Sequence, residues 1–179
     1  MNIYDILKKD HETVRGLLDQ LASAEEAKSR TPLINKISEE LVPHSRSEEW
    51  VLYNLLRDLD QSKDVVMHSF QEHVKAETLL RALQVSETVH IKWQSGVEKL
   101  REELNHHIEE EEGKVFSAAK KVLSEQEAQL LGKAFQEAKS KVGSNFLSSQ
   151  FELLMNLMPQ RFRQSFMKHM NEQSQKKAS

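Results

Sequence analysis

The stretch HIEEEEGKVF, from His107 to Phe116, has the spacing of an amphipathic helix with metal-binding residue types on its apolar side. Apolar residues precede it every three or four positions, and the same stripe resumes at Val115. Between them the stripe holds His107 and Glu111. Residues four apart on a helix lie about 40° apart around the axis and one turn along it, so their side chains reach the same point. The stretch therefore predicts a helix that carries a nitrogen and an oxygen ligand side by side on its inner face.

An earlier stretch, HSRSEEWVLY, aligns with this one and belongs to a second apolar stripe. The alignment places His44 over His107 and Glu48 over Glu111. Farther out, DHETVRGLLDQL (residues 10–21) aligns with EHVKAETLLRAL (residues 72–83) and places His11 over His73. The spacing between the two elements is 33 residues in the first copy and 34 in the second. The sequence thus predicts two repeated helical hairpins, each with His on one helix and His-x-x-x-Glu on the next.

The composition narrows the class of protein. The 179 residues include 30% charged residues, 5 Gly and 3 Pro, a mixture that favours long helices with solvated outer faces. A net charge of −3 gives no reason to expect a nucleic-acid or membrane partner. The absence of cysteine excludes disulfides and thiolate metal sites. Without an 18-residue apolar run or a signal-like N-terminus, the sequence predicts a soluble, cytoplasmic protein.

The six inward-facing polar residues are best explained together. One histidine on an apolar stripe is more often a satisfied core residue, and one His-x-x-x-Glu is more often a surface pair. Six such residues in a repeat would be costly to bury unpaired, whereas metal would neutralise them together. Nitrogen and carboxylate donors without thiolate suit iron or manganese, and zinc also accepts them. Six protein ligands would saturate one ion, so we expect two ions. The predicted ligands are His11, His44, Glu48, His73, His107 and Glu111.

Some neighbouring residues have alternative roles. Glu112 also lies near His107 in the sequence, but it is about 140° round the helix, which favours Glu111 as the ligand. Asp10 and Glu72 each precede a predicted ligand, and each could tune that ligand through a hydrogen bond. His68 and His106 have no counterpart in the repeat, so they are expected at the surface or just outside the site.

The C-terminal third has a different character. We divide the chain into residues 1–122, a four-helix bundle, and residues 123–179, a C-terminal helical extension that packs on the bundle or forms an interface. SEQEAQLLGKAFQEAKSKVG predicts a fifth helix with a glycine stop. Apolar residues beyond it are expected either to cap the bundle or to form a homodimer face, and the last residues are expected to be disordered. These apolar residues are Phe146, Phe151, Leu153, Leu154, Leu157 and Met158.

The pattern of ligands resembles the hemerythrin-like, or HHE cation-binding, domain. The resemblance covers roughly residues 2–120 and rests on His11, His44-x-x-x-Glu48, His73 and His107-x-x-x-Glu111-Glu112. It implies an all-α fold, an antiparallel up-down-up-down four-helix bundle around a non-haem di-iron centre with a bridging oxo or hydroxo group. It also implies that the six predicted ligands bind iron, with Glu48 and Glu111 bridging.

Two departures from the oxygen-carrying members bear on function. Those proteins have a second histidine four residues after the third-helix ligand, where this chain has Glu77, and they end on an Asp at the offset of Glu112. Glu77 is therefore either an additional ligand or a neighbour of a labile coordination position. The four-His, two-Glu set is closer to bacterial di-iron proteins linked with nitric-oxide stress and repair of iron–sulfur centres. Those proteins carry a cysteine-bearing domain that is not part of this sequence.

Three functions remain open. The first is a module that binds dioxygen or nitric oxide for sensing, storage or delivery. The second is a di-iron redox enzyme or an iron–sulfur repair protein. The third is a helical interaction protein that the metal merely staples together. A metal- and gas-binding protein is favoured over a turnover enzyme.

Overall fold

The computed structural model describes residues 1–85, 92–142, 159–164 and 167, and these are helical with no strand. Five long helices follow one another along these described residues. They are α1 (Ile3–Ala22), α2 (Ala27–Glu48), α3 (Lys63–Gln84), α4 (Trp93–Glu110) and α5 (Glu125–Lys141). A short 3-10 turn, Gln160–Phe162, lies beyond them. Among the described residues, no helix is both long and apolar enough to cross a membrane.

Two helices continue through a π-helical turn next to the predicted ligands. Helix α2 passes into Glu49–Tyr53 and then into a last α-helical turn, Asn54–Leu56. Helix α4 passes into Glu111–Val115 and then into an α-helical segment, Phe116–Val122. A π turn widens the helix by one residue and rotates the segment after it, and such turns are frequent at functional sites. The two turns begin within one residue of each other in the aligned repeat, so the repeat extends to the backbone.

The bundle core consists of two apolar clusters, one toward each end. One cluster contains the start of α1, the segment after α2, the start of α3 and the segment after α4, including Leu7, Leu52, Val66 and Phe116. The other contains the opposite ends of the same helices, including Leu18, Ile37, Leu80 and Leu100. Because the beginning of each odd helix packs with the end of each even one, the helices run up-down-up-down. The predicted all-α antiparallel bundle is confirmed.

In the sequence, the SRTP stretch indicates a break before the second helix and Pro43 allows a later start, and these expectations are wrong. The SRTP stretch, residues 29–32, does not break the chain, because α2 begins at Ala27 and contains both Pro32 and Pro43. An interior proline loses one backbone hydrogen bond and costs about 3 kcal/mol. The buried side chains of α2, Ile34 and Ile37 among them, supply compensating apolar contacts with the second cluster. Pro43 therefore does not delay the start of the helix.

Helix α5 packs on the bundle. It begins with a capping box in which Ser124 and Glu127 exchange hydrogen bonds, and it adds Leu131 and Phe135 to the first cluster. Its Gly132 allows a close approach to α1, because a Cβ there would lie 3.0 Å from Ile6 Cδ1 and 3.1 Å from the backbone carbon of Asn2. The apolar residues between Phe146 and Met158, and the C-terminal residues expected to be disordered, lie outside the described part of the chain.

Candidate metal centre

The structure brings all six predicted ligands into one layer between the two apolar clusters. Each lies on the apolar face of its helix or of the π turn that continues it, and none is more than 3% exposed to solvent. The layer contains His11 on α1, His44 and Glu48 on α2, His73 on α3, and His107 with Glu111 on α4 and its π turn.

These six side chains form two groups of three. His11, His44 and Glu111 offer donor atoms that all lie within 4.8 Å of one another, and so do Glu48, His73 and His107. Each group thus has two imidazoles and one carboxylate, a set that suits a first-row transition metal. The grouping crosses the sequence repeat, because the two histidines of each group come from one hairpin and its carboxylate comes from the other.

Each carboxylate also lies between the two groups. Glu48 Oε2 is 3.6 Å from His44 Nε2 in one group and 3.4 Å from His73 Nε2 in the other. Glu111 Oε2 is 3.1 Å from His11 Nε2 and 3.9 Å from His107 Nε2. Both carboxylates therefore have the positions that bridging between two ions would require.

A carboxylate from a neighbouring helix holds the outer nitrogen, Nδ1, of every one of the four histidines. Asp10 on α1 lies 3.2 Å from His44 Nδ1, and Glu49, just after α2, lies 3.0 Å from His73 Nδ1. Glu72 on α3 lies 3.1 Å from His107 Nδ1. These bonds fix each imidazole ring and leave Nε2 to face the layer.

The fourth bond joins the last helix to the first. Glu112, in the π turn after α4, lies 2.9 Å from His11 Nδ1. Its side chain is partly exposed, whereas that of Glu111 is fully buried. Glu111 therefore faces the layer and Glu112 supports it from outside, as the helical angle favours.

The sequence singles out two of the four supporting carboxylates, although with the wrong partners. Asp10 and Glu72 do not hold the histidines that follow them, but those on the next helix, because adjacent positions on a helix point about 100° apart. Glu49 was missed. Glu49 aligns with Glu112 in the sequence repeat, and that alignment would have identified it.

Aromatic packing and α5 complete the support. Tyr53 stacks on His73 with a ring separation of 5.3 Å, and Phe135 of α5 meets His44 edge-on at 5.7 Å. From the same helix, Lys139 donates to Asp10 Oδ2 over 2.8 Å. The chain Lys139–Asp10–His44 therefore makes α5 part of the site.

Glu77 is not a member of either group. Its Oε2 accepts a hydrogen bond of 2.8 Å from Arg46, which also donates to Glu49 over 3.0 Å. Among the described residues, no metal-ligand group includes Glu77. The structure thus gives this residue an electrostatic role in the outer support of His73 through Arg46 and Glu49.

The pKa values of the two inner carboxyl groups are shifted in opposite directions. Desolvation and the adjacent Glu111 raise the pKa of Glu48 well above its ordinary value. Burial opposes ionisation of Glu111 as well, but the nearby Glu48 carboxyl and His11 imidazole lower the pKa of Glu111. The two buried carboxyl groups therefore titrate as a coupled pair, in which ionisation of Glu111 opposes ionisation of Glu48.

The histidines of the layer also differ. Burial lowers the pKa of His44 to about 4 and lowers that of His73, so both rings are neutral near pH 7 and present a lone pair. Burial acts in the same sense on His11, but Glu111 and Glu112 outweigh it and raise the pKa of His11.

Several buried polar atoms of the layer have no hydrogen-bond partner within the described part of the protein. His11 Nε2 and both oxygens of Glu48 and of Glu111 are buried without a hydrogen bond of acceptable geometry. His73 Nε2 and His107 Nε2 face each other over 3.2 Å. Both rings also contact a carboxylate through Nδ1, and a ring that keeps its single proton there has none on Nε2 to donate. Buried polar atoms in natural proteins are almost always satisfied. Cations between the two groups would satisfy these atoms together.

Comparison with known proteins agrees with this geometry. Residues 2–119 match the family model described as hemerythrin HHE cation binding domain. A protein named DNA nickase from Nostoc sp. is 25% identical over 142 residues, which are 79% of this chain and 40% of that protein. An uncharacterized hemerythrin-like protein from Schizosaccharomyces pombe is 27% identical over 139 residues, which are 76% of this chain and 68% of that protein.

The chain therefore spans less than half the length of the first relative and about two thirds of the second. The family match covers well over half of this chain, including all six residues of the buried layer and the four carboxylates that hold them. By its sequence, its helical bundle and its His–Glu clusters, this protein is a member of the hemerythrin HHE cation-binding family.

Proposed function

We propose that this protein binds two iron ions in the buried layer and through them takes up dioxygen or nitric oxide for sensing, storage or delivery. The observation that carries the proposal is the set of six buried side chains, arranged as two groups of two histidines and one glutamate, in which the carboxylate oxygens and His11 Nε2 have no hydrogen-bond partner among the described residues. His11, His44 and Glu111 would hold one ion, and Glu48, His73 and His107 the other. Glu48 and Glu111 would bridge the two.

The iron ions would supply reversible electron transfer and coordination positions for a small diatomic molecule. Manganese or zinc also accept this donor set, so the loaded metal depends on availability as well as on the ligands. The protein's own contribution is to hold four Nε2 atoms inward, through the carboxylates on Nδ1. The two apolar clusters keep bulk water away from the layer and so favour small uncharged ligands.

Metal stoichiometry tests the first half of the proposal. We expect about two irons per chain in protein purified without chelators or a histidine tag, or after anaerobic reconstitution. Absorption bands in the near ultraviolet would identify a coupled pair. A chain that retains no metal and takes up none would refute the proposal.

Anaerobic titration of the reduced, iron-loaded protein with each gas tests the second half. Reversible spectral changes at one molecule per iron pair would support gas binding. Unchanged spectra with both gases would refute that half, and the ions would then serve only to stabilise the bundle.

An enzyme is the second candidate. The substitution of Glu77 for a further histidine, the feature that distinguishes the chain from oxygen carriers, favours turnover of nitric oxide or peroxide, or iron donation to damaged iron–sulfur centres. Multiple turnovers with a supplied reductant would favour this candidate, whereas strictly stoichiometric reaction would favour binding.

The similarity to a DNA nickase adds a nuclease test. We would look for metal-dependent conversion of supercoiled plasmid to the open circle. If this activity is present and is lost in His107→Ala, DNA is a substrate, although the net charge of the chain gives no reason to expect one.

A homodimer through the C-terminal residues is a further proposal. Sedimentation of the full chain tests it, since a monomer at all concentrations would exclude it.

A further inference from the structure

A second pair of His-x-x-x-Glu motifs lies on the outside of the bundle, beside the buried layer. Helix α3 carries His68 and Glu72, and α4 carries His106 and Glu110. On α4 this outer pair precedes the inner pair, His107 and Glu111, by one residue. A step of one residue turns the side chain by about 100°, so the outer pair faces the flank of α4 that meets α3.

The four outer side chains converge on one point. Their donor atoms lie within 4.8 Å of one another. His68 Nε2 is 3.5 Å from Glu72 Oε1 and 3.5 Å from Glu110 Oε2, and His106 Nδ1 is 2.7 Å from Glu72 Oε1. Ligands about 2.0–2.1 Å from a tetrahedral zinc ion lie roughly 3.3 Å apart, so these separations already approach those of a coordination sphere.

Ordinary surface ion pairing does not account for this arrangement. Two flexible exposed residues from each helix would gain little from such pairs in water. Here Glu72 is only 2% exposed and is held from inside, because its other oxygen, Oε2, accepts from His107 Nδ1 over 3.1 Å. A rigid, buried carboxylate therefore anchors the cluster, while His68 and His106 remain accessible to ions in solution.

One cation already contacts the cluster. Lys114 forms an ion pair with Glu110 through Oε1. The other oxygen, Oε2, is the one that faces His68. The lysine thus leaves one oxygen of Glu110 free for coordination and holds its side chain in place.

The geometry points to a solvent-accessible site for one divalent first-row metal ion, formed by His68, Glu72, His106 and Glu110 and separate from the buried layer. Two imidazoles and two carboxylates suit zinc, and also the ferrous ion. Because Glu72 would contact the outer ion with Oε1 while Oε2 holds His107, the two sites share a residue. An ion at the outer site would therefore affect the hydrogen bond between Glu72 and His107, one of the side chains of the buried layer.

The outer site does not depend on the buried layer binding metal. The outer residues are complete without it, and substitution of His68 or Glu110, neither of which holds an inner histidine, leaves the six inner side chains unchanged. Failure of the inner site to load would still leave one zinc ion per chain at the outer site.

Zinc titration by calorimetry tests the proposal, on full-length protein first reconstituted with iron and freed of excess metal. We expect one additional zinc ion per chain. Its affinity should fall by about tenfold or more in His68→Ala and in Glu110→Gln. Glu109→Gln is the matched control, since Glu109 is an exposed neighbour on the same helix, and it should bind zinc like the wild type.

A second readout identifies the site directly. In nitrogen-15 imidazole spectra, zinc should shift the signals of His68 and His106 first, and the iron content and helical circular dichroism should stay constant in all variants. Equal zinc binding by the wild type and His68→Ala would overturn the proposal, as would zinc uptake that leaves both imidazole signals unmoved.

Discussion

Each histidine of the layer offers one ring nitrogen to the interior because its other nitrogen is already bonded to a carboxylate. Removing such a partner weakens metal binding without removing a ligand, typically by 10–100-fold. Two neighbouring glutamates, Glu111 and Glu112, therefore differ in role because their side chains contact different groups. Glu111 faces both groups of donors, whereas Glu112 contacts His11 Nδ1 and the exposed Lys8.

We predict different outcomes for the same substitution at these two positions. Glu111→Gln should abolish binding of at least one ion, because it removes a carboxylate that lies between the two groups. Glu112→Gln should retain both ions with an affinity about 10–100-fold lower, because the glutamine oxygen can still accept from His11 Nδ1 but the negative charge beside the imidazole is gone. Competition against a chelator of known affinity measures both. Full occupancy in Glu111→Gln together with loss in Glu112→Gln would reverse the assignment of ligand and support.

The sequence predicts the inward-facing residues well because the helical period alone decides them. A stripe that repeats every three or four residues identifies His11 and His73 with no knowledge of their neighbours. The supporting bonds are different, since they join side chains on separate helices. The histidine that Asp10 contacts is determined by the way α1 and α2 pack against each other. No local sequence pattern encodes that packing.

Among the helices, the boundaries of α2 show what local signals miss. Proline is a strong helix breaker on its own, yet Pro32 and Pro43 lie within one helix because the tertiary packing of its apolar face outweighs them. The π turns are equally hidden, because a stretch such as EWVLY has the pattern of an ordinary helix. One turn begins directly after the His44–Glu48 pair and the other begins at Glu111 of the second pair, so their position was predictable but their type was not.

Two glycines in helices should respond oppositely to alanine. At Gly16 on α1 an added Cβ would meet nothing within 4 Å, so Gly16→Ala should stabilise the protein by about 0.5–1 kcal/mol. At Gly132 the same Cβ would press on the backbone of Asn2 and Ile3 at 3.1 Å. We expect Gly132→Ala to destabilise the protein by about 1–3 kcal/mol, since the helices must move apart. Urea unfolding measures both, and equal stabilisation would show that α5 is not tightly packed on α1.

The contact of α5 with the 3-10 segment should depend on pH. Arg161 pairs with both oxygens of Glu127, at 2.5 and 2.6 Å, and lowers the pKa of Glu127 from 4.5 to about 2. A lowered carboxyl pKa contributes stability that is complete above the unfolded value and is lost as the pH falls through the folded one. Arg161→Ala should therefore lower the melting temperature at pH 7, and the difference from the wild type should shrink between pH 4.5 and 2. A difference that does not change with pH would assign the effect to packing. Arg161→Lys, which keeps the charge but not the paired geometry, is the control.

Across the bundle, the polar layer separates two apolar clusters that would otherwise form one core. Unpaired buried carboxyl groups are expensive, so the layer should limit the stability of the stripped protein. Ligands that bind only the folded state add stability in proportion to the logarithm of their concentration over Kd, about 4 kcal/mol at a thousandfold excess.

Metal should therefore stabilise the wild type, whereas neutralising the layer should do so without metal. We expect iron reconstitution to raise the melting temperature of chelator-stripped protein. The double variant Glu48→Gln with Glu111→Gln should melt higher than the stripped wild type and gain little from iron, because the ligands that bind between the groups are gone. Scanning calorimetry of the four samples tests this. A stripped wild type as stable as the loaded one would argue against metal binding in the layer.

The four bonds that hold the histidines also bear on the way the bundle is wound. Asp10 of α1 reaches His44 of α2, Glu49 after α2 reaches His73 of α3, and Glu72 of α3 reaches His107 of α4. Glu112, after α4, closes the circle on His11 of α1. A circle of links that all point the same way round has a sense of rotation. If the four helices followed one another round the bundle in the opposite sense, each carboxylate would face the helix on its other side and would miss its histidine. These carboxylates therefore favour one handedness of the bundle as well as one orientation of each histidine.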